Sequence, residues 1–110
     1  MRFLLLHHVG RRSGVARITP LLCIVEDERW IVVASNGGDD RAPAWWLNLK
    51  SRPEAQVQFR SETVPVKARL ANDAEHDALW AKLQASYPYY DRYRERTTRE
   101  IPVVVLERTG

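Results

Sequence analysis

Apolar and polar positions along the chain fall into blocks with two different periods. Arg2 to Val9 and Ile18 to Glu26 are rich in Leu, Ile and Val and are joined by a polar turn, which predicts a β-hairpin. Trp30 to Ser35 continues the sheet after the tight acidic turn Glu26-Asp27-Glu28, and Asn36-Gly37-Gly38-Asp39-Asp40 then breaks the chain sharply. A short helix is predicted from Pro43 through Ala44, Trp45, Leu47, Leu49 and Lys50, with proline tolerated in its first turn and Pro53 ending it. Two alternating strands follow. Ala55, Val57 and Phe59 face one way with Gln56, Gln58 and Arg60 opposite, and after Ser61-Glu62 the run Val64 to Leu70 alternates likewise. Asn72 and Glu75 have capping-box spacing, opening an amphipathic helix with Ala78, Leu79, Trp80 and Leu83 that ends near Ser86. A second helical piece runs from Pro88 to about Thr97. Ile101 to Glu107 closes the chain as a strand buried on both faces, to judge from Val103-Val104-Val105-Leu106. Six strands with helices inserted among them predict a mainly β, α+β fold built as a small barrel.

Composition narrows the function classes. At 110 residues the chain is one domain, residues 1–110, with neither internal repeats nor linkers. Seventeen basic against fourteen acidic residues give a net charge of +3, too modest for nucleic-acid binding that rests on neutralising many phosphates. Cys23 is the only cysteine, so an intrachain disulfide is excluded, and its apolar surroundings suggest an inert core thiol in a reducing cytoplasm. No apolar run approaches membrane-spanning length. His7 and His8 are neighbours on a predicted strand and point to opposite faces, which argues against a shared metal. The phosphate-loop and dinucleotide fingerprints are absent, and Gly10 and Gly14 lead into a strand instead of a helix.

The positive charge that exists is local. From Met1 to Val25 there are four arginines and no acidic residue, and three of the four lie in Gly10-Arg11-Arg12-Ser13-Gly14-Val15-Ala16-Arg17. Arginine offers a planar fork of donors matched to phosphate or carboxylate, and glycines let the backbone bring its N–H groups close, so this turn is a candidate anion seat. Trp45 and Trp46, followed by Asn48, place two indoles and an amide directly after the glycine-rich break. Indole faces suit contact with a flat heteroaromatic ring, although one or both could equally serve the core. Tyr87, Tyr90 and Tyr93 recur every third residue and would share one face of the helix after Pro88, as core residues or as contacts to a substrate.

Together these segments resemble the deazaflavin-dependent nitroreductases, split β-barrel proteins that bind cofactor F420. The likeness spans nearly the whole chain. It rests on Gly10 to Gly14 with Arg17 and Thr19-Pro20-Leu21, on Val33 to Gly38, on Pro43 to Leu49, on Tyr87 to Tyr90, and on Ile101 to Val104. The resemblance implies a six-stranded split barrel of the FMN/F420-binding type, with hydride transfer from reduced F420 to a nitroaromatic, quinone or activated alkene. It implies that Arg11, Arg12 and Ser13 hold the cofactor's phosphate and acidic tail. Arg17, Ile18, Thr19, Pro20, Leu21 and Leu22, with Val33, Ala34, Ser35 and Asn36, would line its ring and chain. Ala44, Trp45, Trp46, Leu47 and Asn48 would close over the deazaflavin, and Tyr87, Tyr90 and Tyr93 would border the pocket of a small-molecule acceptor. Since the cofactor carries the chemistry, no indispensable acid or base is expected. Alternatives are an F420 carrier without turnover and an FMN-binding relative. Monomer, homodimer and peripheral membrane association stay open.

Two departures from the family pattern matter. Asn36 stands where lysine is usual, removing a positive charge from the cofactor's surroundings. The first strand begins within a few residues of Met1, where family members commonly carry an extra helical segment, so a more open acceptor pocket is expected.

Overall fold

A computed structural model describes residues 2–38 and 40–110. Six strands close into an antiparallel barrel: β1 (Arg2–Val9), β2 (Ala16–Glu26), β3 (Arg29–Val33), β4 (Glu54–Phe59), β5 (Glu62–Leu70) and β6 (Val103–Arg108), in the spatial order β1-β2-β3-β6-β5-β4. Three helices are inserted: α1 (Ala44–Ser51) between β3 and β4, then α2 (Asp73–Ser86) and α3 (Tyr89–Arg96) between β5 and β6.

The alternation read from the sequence sets the interior. Leu4 and Leu6 of β1, Val57 of β4, and Val64, Val66 and Ala68 of β5 enter the barrel, where they meet Trp30, Val32, Val104 and Leu106. Trp45, Trp46 and Leu49 of α1 join this cluster. The continuous apolar runs of β3 and β6 reflect burial on both faces. Their outward residues Ile31, Val33, Val103 and Val105 form a second core with Leu79, Trp80 and Leu83 of α2 and Tyr90 of α3. Cys23 is buried, and burial raises its thiol pKa to about 11 against the opposing pull of Arg2.

Several boundaries differ from the sequence reading. β2 starts at Ala16, two residues earlier than predicted, because Ala16 and Arg17 pair with Val9 and His8 across the hairpin. β3 stops at Val33 and not Ser35: the Ala34 N–H turns to the carbonyl of Pro102, and Asn36–Gly38 form a 3₁₀ turn. Of the predicted break, Asp39 lies outside the described residues.

The predicted capping box is present. The Glu75 N–H donates to Asn72 Oδ1 and the Asn72 N–H to Glu75 Oε1, each at 3.0 Å. Glu75 also accepts from Arg69 of β5 and, at 3.4 Å, from Arg29 of β3, so one carboxylate ties α2 to the barrel wall. The Arg69 bond and then the Asn72 N–H hold its pKa down at about 2, from an ordinary 4.5. A depressed carboxylate pKa contributes stability that is complete above pH 4.5 and lost as pH falls toward 2. We expect an acid-side loss of about 1 to 2 kcal/mol, the solvent-screened share of the shift. Denaturant midpoints of the parent and Glu75→Gln between pH 2 and 6 check this: the variant's acid limb should be flatter, and parallel limbs would refute it.

Candidate functional site

The turn between β1 and β2 is tied up by its own main chain. The Gly10 N–H donates to the Val15 carbonyl at 3.0 Å, the Gly14 N–H to the Gly10 carbonyl at 2.9 Å, and the Val15 N–H to Ser13 Oγ at 3.2 Å. Gly14 sits at φ +69°, a region that favours glycine, and a Cβ at Gly10 would lie 2.6 Å from Ser13 Oγ and 3.2 Å from Arg17 Nε, so a side chain there would displace the Ser13 hydroxyl. The compact turn puts Arg11, Arg12, Ser13 and Arg17 on one cleft of about 270 Å³, whose other wall is Ala44 and Asn48 of α1. Asn48 is buried, and its Oδ1 accepts from both the Arg11 N–H and Arg11 Nη1, each at 3.0 Å. Three guanidinium groups around a cleft closed by a neutral amide suit a ligand carrying several negative charges.

A second cleft, of about 350 Å³, lies on the other side of the start of α1. Pro43 and Trp45 border it, and the residue between them in sequence, Ala44, borders the first cleft. Its remaining walls are Phe3, Pro20, Leu21 and Leu22 from the hairpin, Val33, Ser35 and Asn36 from the exit of β3, and Tyr87, Tyr90 and Tyr93. The β3 exit is pinned from behind: Arg99 Nη2 donates to the Ala34 and Ser35 carbonyls, each at 2.9 Å, and Thr97 Oγ1 donates to Asp40 at 2.8 Å. Gly38, at φ +84°, lets this loop press onto α3, where a Cβ would stand 3.1 Å from Tyr93 Cα. The resulting cavity is lined by apolar side chains with the hydroxyl-bearing Ser35 and tyrosines among them, the composition of a site for a flat ring.

The family model for F420H(2)-dependent quinone reductase matches residues 1–108. The chain belongs to this family. An F420H(2)-dependent quinone reductase of Mycobacterium tuberculosis (strain H37Rv), Rv1261c, is 35% identical over 108 residues, covering 96% of this chain and 72% of the relative. A solved F420-H2 dependent reductase (FDR-A) superposes with a TM-score of 0.86 at 34% identity, covering 96% of this chain and 93% of that one. Another solved chain, described as a domain-swapped dimer, matches with a TM-score of 0.87 at 34% identity, covering 96% of this chain and 79% of that one. The six-stranded split barrel expected of such a reductase is the fold observed.

In this family member the residues singled out from the sequence do not all meet. Arg11, Arg12, Ser13, Arg17, Ala44 and Asn48 line the first cleft; Pro20, Leu21, Leu22, Val33, Ser35, Asn36, Trp45 and the three tyrosines line the second. The adjacent indoles separate. Trp46 borders a third cleft with Lys50, Ile101 and Val103, away from the turn, while Trp45 stays at the second. Ile18 is 59% exposed on the outer wall, Ala34 is fully buried, and Leu47 is half-buried on the far side of α1's packed face. Tyr87 is not part of the helix after Pro88: it caps the C-terminus of α2, and its ring meets Tyr90 and Tyr93 at 5.0 and 6.3 Å across the junction. The Tyr87 and Tyr93 hydroxyls are 3.3 Å apart, and the bond between them raises the Tyr87 pKa, keeping that hydroxyl protonated. Among the described residues no cluster of His, Cys, Asp and Glu could hold a metal, and no helix is long and apolar enough to cross a membrane.

Neither Phe3 nor Arg99 was singled out from the sequence, and His8 was weighed there only as a metal ligand. His8 carried a signal: on β1 it follows Leu4 and Leu6 at the inward positions, where a polar side chain needs partners.

Proposed function

We propose that this reductase-family protein binds the deazaflavin cofactor F420 across the two clefts and reduces quinones and other electron-poor small molecules. The observation that carries the reading is that successive residues at the start of α1 border an arginine-lined cleft, through Ala44, and one lined by tryptophan and tyrosines, through Pro43 and Trp45. F420 has the matching bipartite chemistry, a flat ring joined to a phosphodiester and an oligoglutamate tail. Arg11, Arg12, Ser13 and Arg17 would hold the phosphate and tail. Leu21, Leu22, Val33 and Trp45 would hold the ring and keep water from it. Bound in reduced form, the cofactor supplies the hydride that a quinone, nitroaromatic or activated alkene accepts. Tyr87 and Tyr93, whose hydroxyls lie 3.3 Å apart, border the acceptor's position and can hydrogen-bond to it.

Titration of the purified protein with F420 and with FMN, followed by F420H2 oxidation in the presence of a soluble quinone, tests the reading. Preference for F420 together with quinone-dependent oxidation is expected; preference for FMN, or tight F420 binding without turnover of any acceptor, overturns it.

Asn36 supplies a further check. It lies at φ 47°, a backbone region that asparagine tolerates, and its Nδ2 donates to the Arg41 carbonyl at 3.0 Å. Asn36→Lys is expected to tighten F420 binding by up to about 1 kcal/mol at low salt, with the gain fading as salt rises. It should also lower the melting temperature slightly, because the bond to the Arg41 carbonyl is removed. Unchanged affinity at every ionic strength would place residue 36 away from the anionic groups.

A further inference from the structure

One buried polar chain behind the arginine cleft is not used by the cofactor reading. His8 is 5% exposed, and both ring nitrogens have partners: Nδ1 is 3.1 Å from Asn48 Nδ2, and Nε2 is 2.8 Å from Thr19 Oγ1. The orientation of the Asn48 amide is forced by chemistry. Both groups that Arg11 presents are donors, so the atom facing them is the oxygen and the atom facing His8 is the NH₂. The NH₂ can only donate. His8 Nδ1 is therefore the acceptor, which leaves the ring proton on Nε2 to be donated to Thr19. A proton on Nδ1, in the other tautomer or in the imidazolium, would oppose two donors and turn the amide, presenting its NH₂ to Arg11.

We infer that His8 is a positioning residue of the anion cleft: its Nε2–H tautomer orients the Asn48 amide, which in turn holds the Arg11 backbone and guanidinium against α1. The inference rests on the proposed F420 reading. Its physical basis is preorganisation. Arginine on an exposed turn samples many rotamers, and one whose Nη1 and backbone N–H share a single fixed acceptor has less freedom to lose when an anion arrives. The charged environment favours the neutral ring. Burial first, then Arg17, the cross-strand partner of His8, and His7 on the same strand lower its pKa. The same relay joins β1, β2 and α1, and so ties the turn to the helix whose start borders both clefts.

Two substitutions separate positioning from mere filling. Asparagine at 8 can place an oxygen near the Nδ1 site and so keep an acceptor for Asn48; glutamine reaches the Nε2 site and keeps the donor to Thr19 but loses that acceptor. His8→Gln should weaken F420 binding about tenfold, one hydrogen bond's worth of preorganisation, while His8→Asn stays within about threefold of the parent. Equal affinities of the two variants, or losses that follow melting temperature alone, overturn the inference. Should His8→Gln fail to fold, long-range ¹H–¹⁵N spectra of the parent decide: the Nε2–H tautomer at neutral pH is expected, and an Nδ1–H or doubly protonated ring refutes it. If Arg11→Ala and Arg12→Ala lower affinity while His8→Gln does not, this inference alone fails. If the arginine variants also bind normally, the F420 assignment of the turn fails with it.

Discussion

Alanine at both Arg11 and Arg12 is expected to weaken F420 binding by about 3 to 6 kcal/mol at low salt, at roughly 1.5 to 3 kcal/mol for each charge-assisted hydrogen bond removed. Both side chains are exposed and border the cleft with Asn48; alanine removes the Arg11 Nη1 bond to Asn48 Oδ1 but keeps the Arg11 N–H bond to the same oxygen and the bonds of Gly10, Gly14 and Val15 that fix the turn. Melting temperature should therefore change little. The effect should shrink as ionic strength rises, because the arginines are solvent-exposed and screened over a Debye length of about 10 Å at 0.1 M salt. Titrations of parent and double variant at two salt concentrations measure both quantities. Equal affinity in the two proteins would mean that the turn is not the anion seat.

Tyr90→Ala is expected to lower stability by about 3 to 5 kcal/mol, the scale of large aromatic truncations in a packed core. Tyr90 is 4% exposed, and its ring lies 5.0 Å from Tyr87, 6.1 Å from Tyr93 and 6.2 Å from Trp80, in the cluster that covers the outer faces of β3 and β6. Burial pushes its hydroxyl pKa far above the working range, so Tyr90 does not ionise there. Tyr90→Phe keeps the ring and should leave melting temperature and F420 affinity close to the parent, so its F420H2 oxidation rate isolates what the hydroxyl does. Thermal unfolding of both variants checks the core role, which a wild-type melting temperature for Tyr90→Ala would rule out. In a chain of this size the expected loss corresponds to a fall of more than about 10 °C.

Strands, helices and the capping box were legible from the sequence because each is set by residues within a few positions of one another. The period-two alternation of β1, β4 and β5, the continuous apolar runs of β3 and β6, and the Asn72/Glu75 pair are local signals with local causes. The arginine turn was legible for the same reason: its glycines and guanidinium groups lie within eight residues, 10–17. The divergence of His7 and His8 also follows from strand geometry, and His7 does meet Gln58 while His8 faces inward.

Other features depended on where distant segments meet. Two neighbouring tryptophans look alike in sequence; the turn of roughly 100° between successive residues of α1 sends Trp45 to one cleft and Trp46 to another. Tyr87 has the spacing of a helical partner to Tyr90, yet the break at the α2–α3 junction decides that the rings meet across a corner. Asn48 could be read as a polar residue near an indole pair, but its partners are 37 and 40 residues away, and only closure of the barrel brings α1 against the β1–β2 turn. By itself, then, the sequence determined the elements and the residue types suited to an anion and a flat ring. Only the tertiary structure decided which of those residues share a cleft and which pack into the core, since side-chain direction and long-range contact are consequences of closing the barrel.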